Sequence, residues 1–530
     1  MMRSTDPFRL VHVIALALCV IFLPWSTAFL SMAQMLLAAN WLAEGIVRRD
    51  LGARFKRSLT SGPVLVFLSF FLLHVLGLLW SEDLGWGADL GRILFPVLVF
   101  GVILGGSERL DARALRAVLL LGAWSAVACS LFGLLFSGAA DGDYRTISMF
   151  ISHIRLALLL CLAIAVFIHY RRGPWWMVLA HTAAVFWSLY ALNKLGSIQA
   201  FVILALLALV MLWRNVARLG TGWRWFWRVA VCGVPILALA WGAVEVRGRY
   251  RLPPADLPTR MLRSAGGEYY SHDVRNPHTE NGTYVWTHIA WQELRRSWAL
   301  RSDRSLDSLD GRNHPLWSTA VRYLASKGLY KDSMGVMALS DADVEAIERG
   351  VPNVLEGQRH KLRERFEEVL FELQLYHATG NANGHSVAMR LEFWRTGLAI
   401  AKENWLTGVG TGDTQQAFDR AYVESKSALL HQWRLRAHNE YLTLWISFGV
   451  FGLMWSLFSW WWPAWKLGTW RDPLFIAWAI TFGMSCLTDD TIETQAGATF
   501  FALYYALLVF AAPLRGVPPT TPARDADRSV

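Results

Sequence analysis

Residues 434–440 read Arg-Leu-Arg-Ala-His-Asn-Glu and run without a break into an apolar stretch from Tyr441 to Trp462. Titratable groups at the mouth of a membrane span are costly to keep there, which makes them candidates for function. His438 is the central one. The positive partial charge of a helix N-terminus disfavours imidazolium, and Arg434 and Arg436 act in the same sense. A neutral imidazole is what proton abstraction requires, and a positioned base contributes on the order of 10²–10⁴-fold in rate. The alternative is a histidine that only caps or anchors the helix.

The chain that must position this group has 530 residues, 54% of them hydrophobic and 17% charged, a balance that excludes an ordinary soluble multidomain protein. About twelve runs approach the roughly 20 apolar residues needed to cross a bilayer as helix. They extend from Leu10–Leu23 and Thr27–Val47 at the start to Tyr441–Trp462, Leu474–Leu487 and Ala496–Leu514 at the end. The reading is an all-α polytopic membrane protein with a large, mainly helical loop domain. Residues 1–245 supply nine transmembrane helices, 246–436 the loop domain, 437–514 three further helices and 515–530 a cytoplasmic tail. The first run resembles a signal sequence but continues past Pro24 into a second, so it is read as a retained span.

The net charge of +10 comes from basic residues scattered between apolar runs, not gathered in one domain, so nucleic acid is not an expected partner. Their spacing is a topology signal instead. Clusters at Arg48–Arg57, Arg109–Arg116, Arg171–Arg172, Arg214–Arg228 and Lys466–Arg471 fall on alternate loops, which makes that face cytoplasmic and puts both termini on it. All five cysteines lie in apolar runs, and neither a disulfide framework nor a zinc site follows from them. In the loop domain, Gln358–His377 and Val387–Trp405 have helical spacing, the second with Leu391, Trp394, Leu398, Ala401 and Trp405 on one stripe. The part from Arg247 to Gly311, rich in Pro, Gly, Asn and Asp, is expected to be irregular.

Arg145, Arg155 and Lys194 break the charge rule by falling on the outer side. Either they pair locally, Arg145 with Asp141 or Asp143, or they bind an anionic group at the outer face. Asp141-Gly-Asp143 has the spacing of a metal–diphosphate clamp and equally that of a common turn. Asp489, Asp490 and Glu493 share the outer face and could orient a sugar or pair with the arginines. The glycine loop Gly408-Val-Gly410-Thr-Gly412-Asp413 follows a helix rather than a strand, so it is not a dinucleotide fingerprint. Tight turning and close backbone approach account for it.

His438-Asn439-Glu-Tyr-Leu with Gly449 and Gly452 downstream, preceded by Arg390 and the Gly408-Val-Gly410 loop, resembles the signature of the O-antigen ligase and polymerase superfamily. The stretch Thr488 to Gly497 with Phe500-Phe501 resembles the end of the same module. Asn193-Lys194-Leu-Gly196 is similar to the family's Ser-Arg-x-Gly turn, with lysine keeping the charge but losing bidentate phosphate recognition. The resemblance implies an inverting, metal-independent and cofactor-free transfer at the periplasmic face of a bacterial inner membrane. The donor would be a glycan on undecaprenyl diphosphate and the acceptor a sugar hydroxyl of lipid A-core. His438 would be the base. Arg155, Lys194, Arg390 and Arg436, with Arg145 and Arg434 beside them, would hold the diphosphate, and Asn439, Glu440, Asp489 and Glu493 would orient the acceptor. Polysaccharide polymerases and protein O-oligosaccharyltransferases share the chemistry. A lipid-linked sugar transporter is the rival of another class, disfavoured because the sequence shows no duplication and its cations map to one face rather than to the midplane.

Overall fold

Capping decides where the apolar runs become helix. In the computed structural model, which describes residues 6–137, 147–216, 220–250, 262–273, 276, 278–356 and 361–513, the chain opens with ten helices. These are α1 (Pro7–Phe22), α2 (Thr27–Val47), α3 (Leu51–Thr60), α4 (Gly62–Gly77), α5 (Leu84–Gly106), α6 (Ala112–Phe136), α7 (His153–His169), α8 (Trp175–Lys194), α9 (Ile198–Val216) and α10 (Thr221–Tyr250). The Asp6 carboxylate accepts the Phe8 N–H at the start of α1, with Pro7 in the first turn, and Asp111 accepts from Arg113 and Ala114 at the start of α6. Each satisfies backbone donors that a helix start leaves open.

A short hairpin follows, β1 (Thr279–Glu280) against β2 (Thr283–Tyr284), closed by Asn281 and Gly282 at φ 51° and 87°, the left-handed pair that a two-residue hairpin turn favours. Next come α11 (Trp291–Trp298), α12 (Leu316–Ser326), α13 (Ser333–Met337) and α14 (Asp341–Glu348), packed on a core that includes Trp298, Leu316, Leu324 and Ile347. The chain ends with α15 (Lys361–Thr379), α16 (Ser386–Glu403), α17 (Thr414–Glu424), α18 (Glu440–Lys466), α19 (Pro473–Ser485) and α20 (Gln495–Ala506). The stretch expected to be irregular therefore holds the end of α10, the hairpin and α11.

Every apolar run coincides with a helix, but among the described residues seven are long and apolar enough to cross a membrane: α2, α4 with the 3-10 turn that extends it to Trp80, α5, α6, α8, α9 and α18. α1, α7, α19 and α20 are apolar and shorter. α19 has 13 residues, about 20 Å of helix against about 30 Å of hydrocarbon. The count of twelve came from apolar length alone, whereas caps at Asp472 and Thr494 set where α19 and α20 begin. Trp460, Trp478, Phe482 and Phe501 are buried together in the bundle core, so some of the chain's 28 tryptophans are interior bulk.

A third core joins Phe393 and Ile400 of α16 to Phe418 and Tyr422 of α17 and to Leu442 and Ile446 of α18. The face of α16 that it buries only partly matches the stripe read from the sequence: Ala401 is buried in it and Trp394 packs against it, but Leu391, Leu398 and Trp405 are exposed, and Ala388, Met389, Phe393, Gly397 and Ile400 make most of the buried face. The helix is apolar on both sides.

α18 is broken at Gly449, where φ is 66° and ψ −173°, a region essentially reserved for glycine. A Cβ there would lie 2.1 Å from the Leu406 carbonyl oxygen. At the break the Val450 N–H turns to the Trp405 carbonyl (2.8 Å), and the freed carbonyls of Ile446 and Ser447 accept from Val409 (2.9 Å) and Gly410 (2.9 Å). Thus the glycine loop after α16 repairs the interrupted helix, as non-helical backbone in an apolar setting requires. Asp413 then accepts from the Glu82 and Asp83 N–H groups, pinning the same loop to the turn between α4 and α5.

Candidate active site

His438 lies two residues before α18 rather than in its first turn. Asn439 is the cap, its side chain accepting the Leu442 N–H at 3.1 Å. His438 itself has φ 44°, left-handed backbone that costs a non-glycine residue about 1–3 kcal/mol unless its surroundings impose it. They do so through the next two peptides. The Asn439 N–H donates to Asp490 Oδ1 at 3.0 Å and the Glu440 N–H to the Cys486 carbonyl at 2.8 Å. The segment between α19 and α20 is thereby bound to the start of α18.

This binding aims His438 Nδ1 at carboxylates, Asp489 Oδ1 at 3.5 Å and Asp490 Oδ2 at 3.9 Å. Arg155, from the first turn of α7, holds them. Its Nη1 pairs with Asp489, its Nη2 donates to the Asp490 carbonyl at 3.3 Å and its Nε to Thr494 Oγ1 at 3.4 Å. Thr443 Oγ1 donates to Asp490 Oδ1 at 3.0 Å. Arg436 pairs with Glu493 and stands 5.1 Å from the Trp86 ring centroid. On the other side of the imidazole is Phe393, with ring centroids 5.7 Å apart.

Burial is the largest cause holding the His438 proton affinity below its usual range; Asp490 opposes it, while Arg390, Arg436 and Arg155 reinforce it. The direction is the one expected from the sequence, but its main cause is desolvation rather than the neighbouring arginines. Arg434 does not figure among these charges: its Nε donates to the Leu429 carbonyl at 3.0 Å. Burial also pushes the Glu493 carboxyl up to about 7, against the pull of Arg436.

The other sequence candidates divide. Arg390, on α16, acts on His438 through its charge, and its Nη1 donates to the Ser386 carbonyl at 3.2 Å. Lys194 ends α8 with its ammonium 5.5 Å from the Tyr190 ring centroid and makes no ion pair among the described residues. Arg145 lies outside the described residues, as do Asp141 and Asp143. The proposed acceptor-orienting groups face inward. Glu440 is 1% exposed and accepts the Ile492 N–H at 3.1 Å, Asp489 and Glu493 are taken up by arginines, and Asn439 is a cap. Of the acidic trio, Asp489 and Glu493 pair with arginines, whereas the Asp490 carboxylate accepts from the Asn439 N–H and Thr443 Oγ1. Thr443, Thr494, Phe393 and Trp86 carry no signal that would have marked them in the sequence.

Beside Asn439 an apolar groove of about 250 Å³ runs between α16 and α18, lined by Trp394, Leu398, Tyr441, Leu442, Trp445 and Leu453. The stripe read from the sequence as one face of α16 thus supplies a wall of this groove. Among the described residues no group of three or more His, Cys, Asp or Glu side chains is placed to hold a metal ion.

Long apolar helices around a buried network of arginines, carboxylates and one imidazole define a helical, polytopic membrane protein with a polar site at a helix mouth. Residues 342–488 match the family model described as O-antigen ligase, a segment that contains Arg390, the glycine loop, Arg436 and His438. Over that segment the chain is similar to the O-antigen ligase superfamily, and the match supports a membrane enzyme of the ligase or polymerase type. No curated protein matches the chain.

Proposed function

We propose that the protein is an inverting, metal-independent glycosyltransferase of the O-antigen ligase type. It moves a glycan from undecaprenyl diphosphate to a sugar hydroxyl of lipid A-core at the periplasmic face of a bacterial inner membrane. The acceptor hydroxyl gives its proton to Nε2 of His438 as its oxygen attacks the anomeric carbon. The bond from that carbon to the diphosphate breaks on the opposite face, and undecaprenyl diphosphate departs with the bonding pair. The negative charge of Asp489 and Asp490 near Nδ1 favours the tautomer that carries the proton on that nitrogen and leaves Nε2 as the acceptor. Arg390 and Arg436, with Lys194 at the end of α8, meet the charge on the leaving group, since fixed cations stabilise such charge most where water is excluded. Arg155 keeps Asp489 in place. The groove beside Asn439 suits an isoprenoid chain, being apolar and next to the base.

The observation that carries this reading is one imidazole with Asp489 and Asp490 at Nδ1, desolvated and ringed by arginines, in the segment matched by the family. The test is glycan-capped lipid A-core, read by gel and mass spectrometry, in cells carrying the gene, lacking it, or carrying His438→Ala. Capping lost in the last two supports the reading. Normal capping by His438→Ala would remove the base, and single repeats left on the core would point to a polymerase instead.

A further inference from the structure

A second polar cavity, of about 440 Å³, opens between the core formed by α11–α14 and the helices α15 and α16. Its size is that of a small-molecule pocket, typically about 300–1,000 Å³, and none of its residues belongs to the site around His438. One wall is the β1–β2 turn with residues 352–356; the other is α15 with His385 just before α16.

The two walls differ in chemistry. On α15 the Phe371 ring presents an aromatic surface, with the His278 ring at 4.3 Å and 33° and the His385 ring at 5.8 Å and 84°. Facing it is a rigid set of planar polar groups. Glu280 is gripped by Arg322 through Nε (2.8 Å) and Nη2 (2.7 Å) and by Asn353 Nδ2 (2.5 Å). Asn353 is in turn joined to Asn281 at 3.3 Å. Glu356 Oε1 accepts from Arg312 at 2.6 Å, whereas Glu356 Oε2 is buried with no hydrogen-bond partner among the described residues. An acceptor in that state calls for a donor, because a buried carboxylate oxygen left unpaired is costly.

These features select a ligand class. The lining is too polar for a lipid chain. Arg322 is the cation in the lining among the described residues, and it is already bound twice to Glu280. The carboxylates of Glu280, Glu356, Glu367 and Glu368 share the cavity, so a phosphate or uronate would meet like charge. A pyranose lays its C–H face on an aromatic ring and offers a donor and an acceptor at each hydroxyl, which suits Phe371 on one side and carboxylate and amide groups on the other.

We propose that this cavity is a saccharide subsite for a neutral or amine-bearing sugar unit of the glycan being transferred. The source of the sugar rests on the glycan-transfer reading above; binding in the cavity does not. The experiment uses the full-length protein in lipid nanodiscs and measures binding of three probes by calorimetry: the tetramers of N-acetylglucosamine, glucosamine and galacturonate. The first two bind, and the uronate binds at least tenfold more weakly. Phe371→Ala and the isosteric Glu356→Gln each weaken the first two at least tenfold with an unchanged unfolding midpoint, and His438→Ala binds them as the wild type does. The proposal is overturned if neither of the first two binds, if galacturonate binds equally well, or if affinity survives both cavity substitutions. A wild-type protein that binds the probes but transfers no glycan would sink the transfer reading alone. One that transfers glycan but binds none of them would sink only the cavity.

Discussion

Two clusters of arginine, carboxylate and histidine stand at helix ends in this protein, and they are built differently. Around α1–α3, Arg54 bonds Glu44 at 2.7 Å and Asp50 at 2.8 Å, and Arg48 pairs with Asp6 and with Glu44 at 3.1 Å. His12 lines the same small cavity. Arg54 finds both partners within ten residues, joining the end of α2 to the start of α3, and Arg48 ties that corner to the residue before α1. The imidazole there is sealed, 7% exposed, and forms no ion pair with a carboxylate among the described residues. Around His438 the partners come from α7, from the entry to α18 and from the segment between α19 and α20, and the His438 side chain is 34% exposed with Asp489 at its Nδ1. Residue types alone do not mark a site. Long-range convergence on an imidazole with one edge within reach of a substrate does.

The sharpest way to break this comparison is to remove each imidazole in turn. His438→Ala lowers glycan transfer by on the order of 10²–10⁴-fold, the usual worth of a positioned base. His12→Ala changes transfer per folded molecule little. Comparable losses from the two, in reconstituted transfer assays corrected for folded protein, would erase the distinction.

Next in size is the pair that positions the carboxylates. Removing one partner of a buried ion pair costs about 3–5 kcal/mol, and Arg155 and Asp489 are 8% and 11% exposed in their side chains. Arg155→Ala therefore lowers both the unfolding midpoint and transfer, and adding Asp489→Asn recovers part of the midpoint without recovering transfer. Arg54→Ala lowers the midpoint only. If Arg155→Ala keeps full transfer per folded molecule, its assignment to the site is wrong.

Gly449→Ala is smaller: backbone strain of about 1–3 kcal/mol, plus a Cβ driven against the Leu406 carbonyl. Its signature is loss of the linkage between α18 and the glycine loop, read as faster amide exchange at Val409 and Gly410. Smallest is the pH effect. His438 acts as a base only when deprotonated, and its affinity for the proton is lowered in the fold from the ordinary 6.5, so the acid limb of transfer against pH lies below 6.5. Arg390→Gln removes a cation that lowers this affinity, and the limb moves to higher pH by a fraction of a unit. A limb that stays put or moves down contradicts the role given to Arg390.

Much of the architecture was legible because helix formation is local. Apolar runs act within a few residues, and each is found where it was read or within a few positions; the Asn281-Gly282 hairpin is equally local, yet it lies in a stretch expected to be irregular. α16 shows where that logic stops. Of the stripe Leu391, Trp394, Leu398, Ala401 and Trp405, read as the apolar face of the helix, Ala401 is in the core and Trp394 packs against it, yet Leu391, Leu398 and Trp405 are exposed while Met389, Phe393 and Ile400 make the core. When both surroundings of a helix are apolar, hydrophobic periodicity no longer says which face turns inward.

By itself the sequence determined that the chain is helical and apolar, that a histidine follows two arginines at the mouth of α18, and that glycines punctuate the approach to it. These follow from short-range propensity, capping and composition. Only the tertiary structure decided that Arg155 holds Asp489, that Asp489 and Asp490 face the imidazole, and that Gly408–Gly410 repair the break at Gly449. Residues 155, 438 and 489 lie too far apart in the chain for any local preference to couple them. Their meeting depends on how whole helices pack, which is an energy of the assembled bundle and not of any one segment.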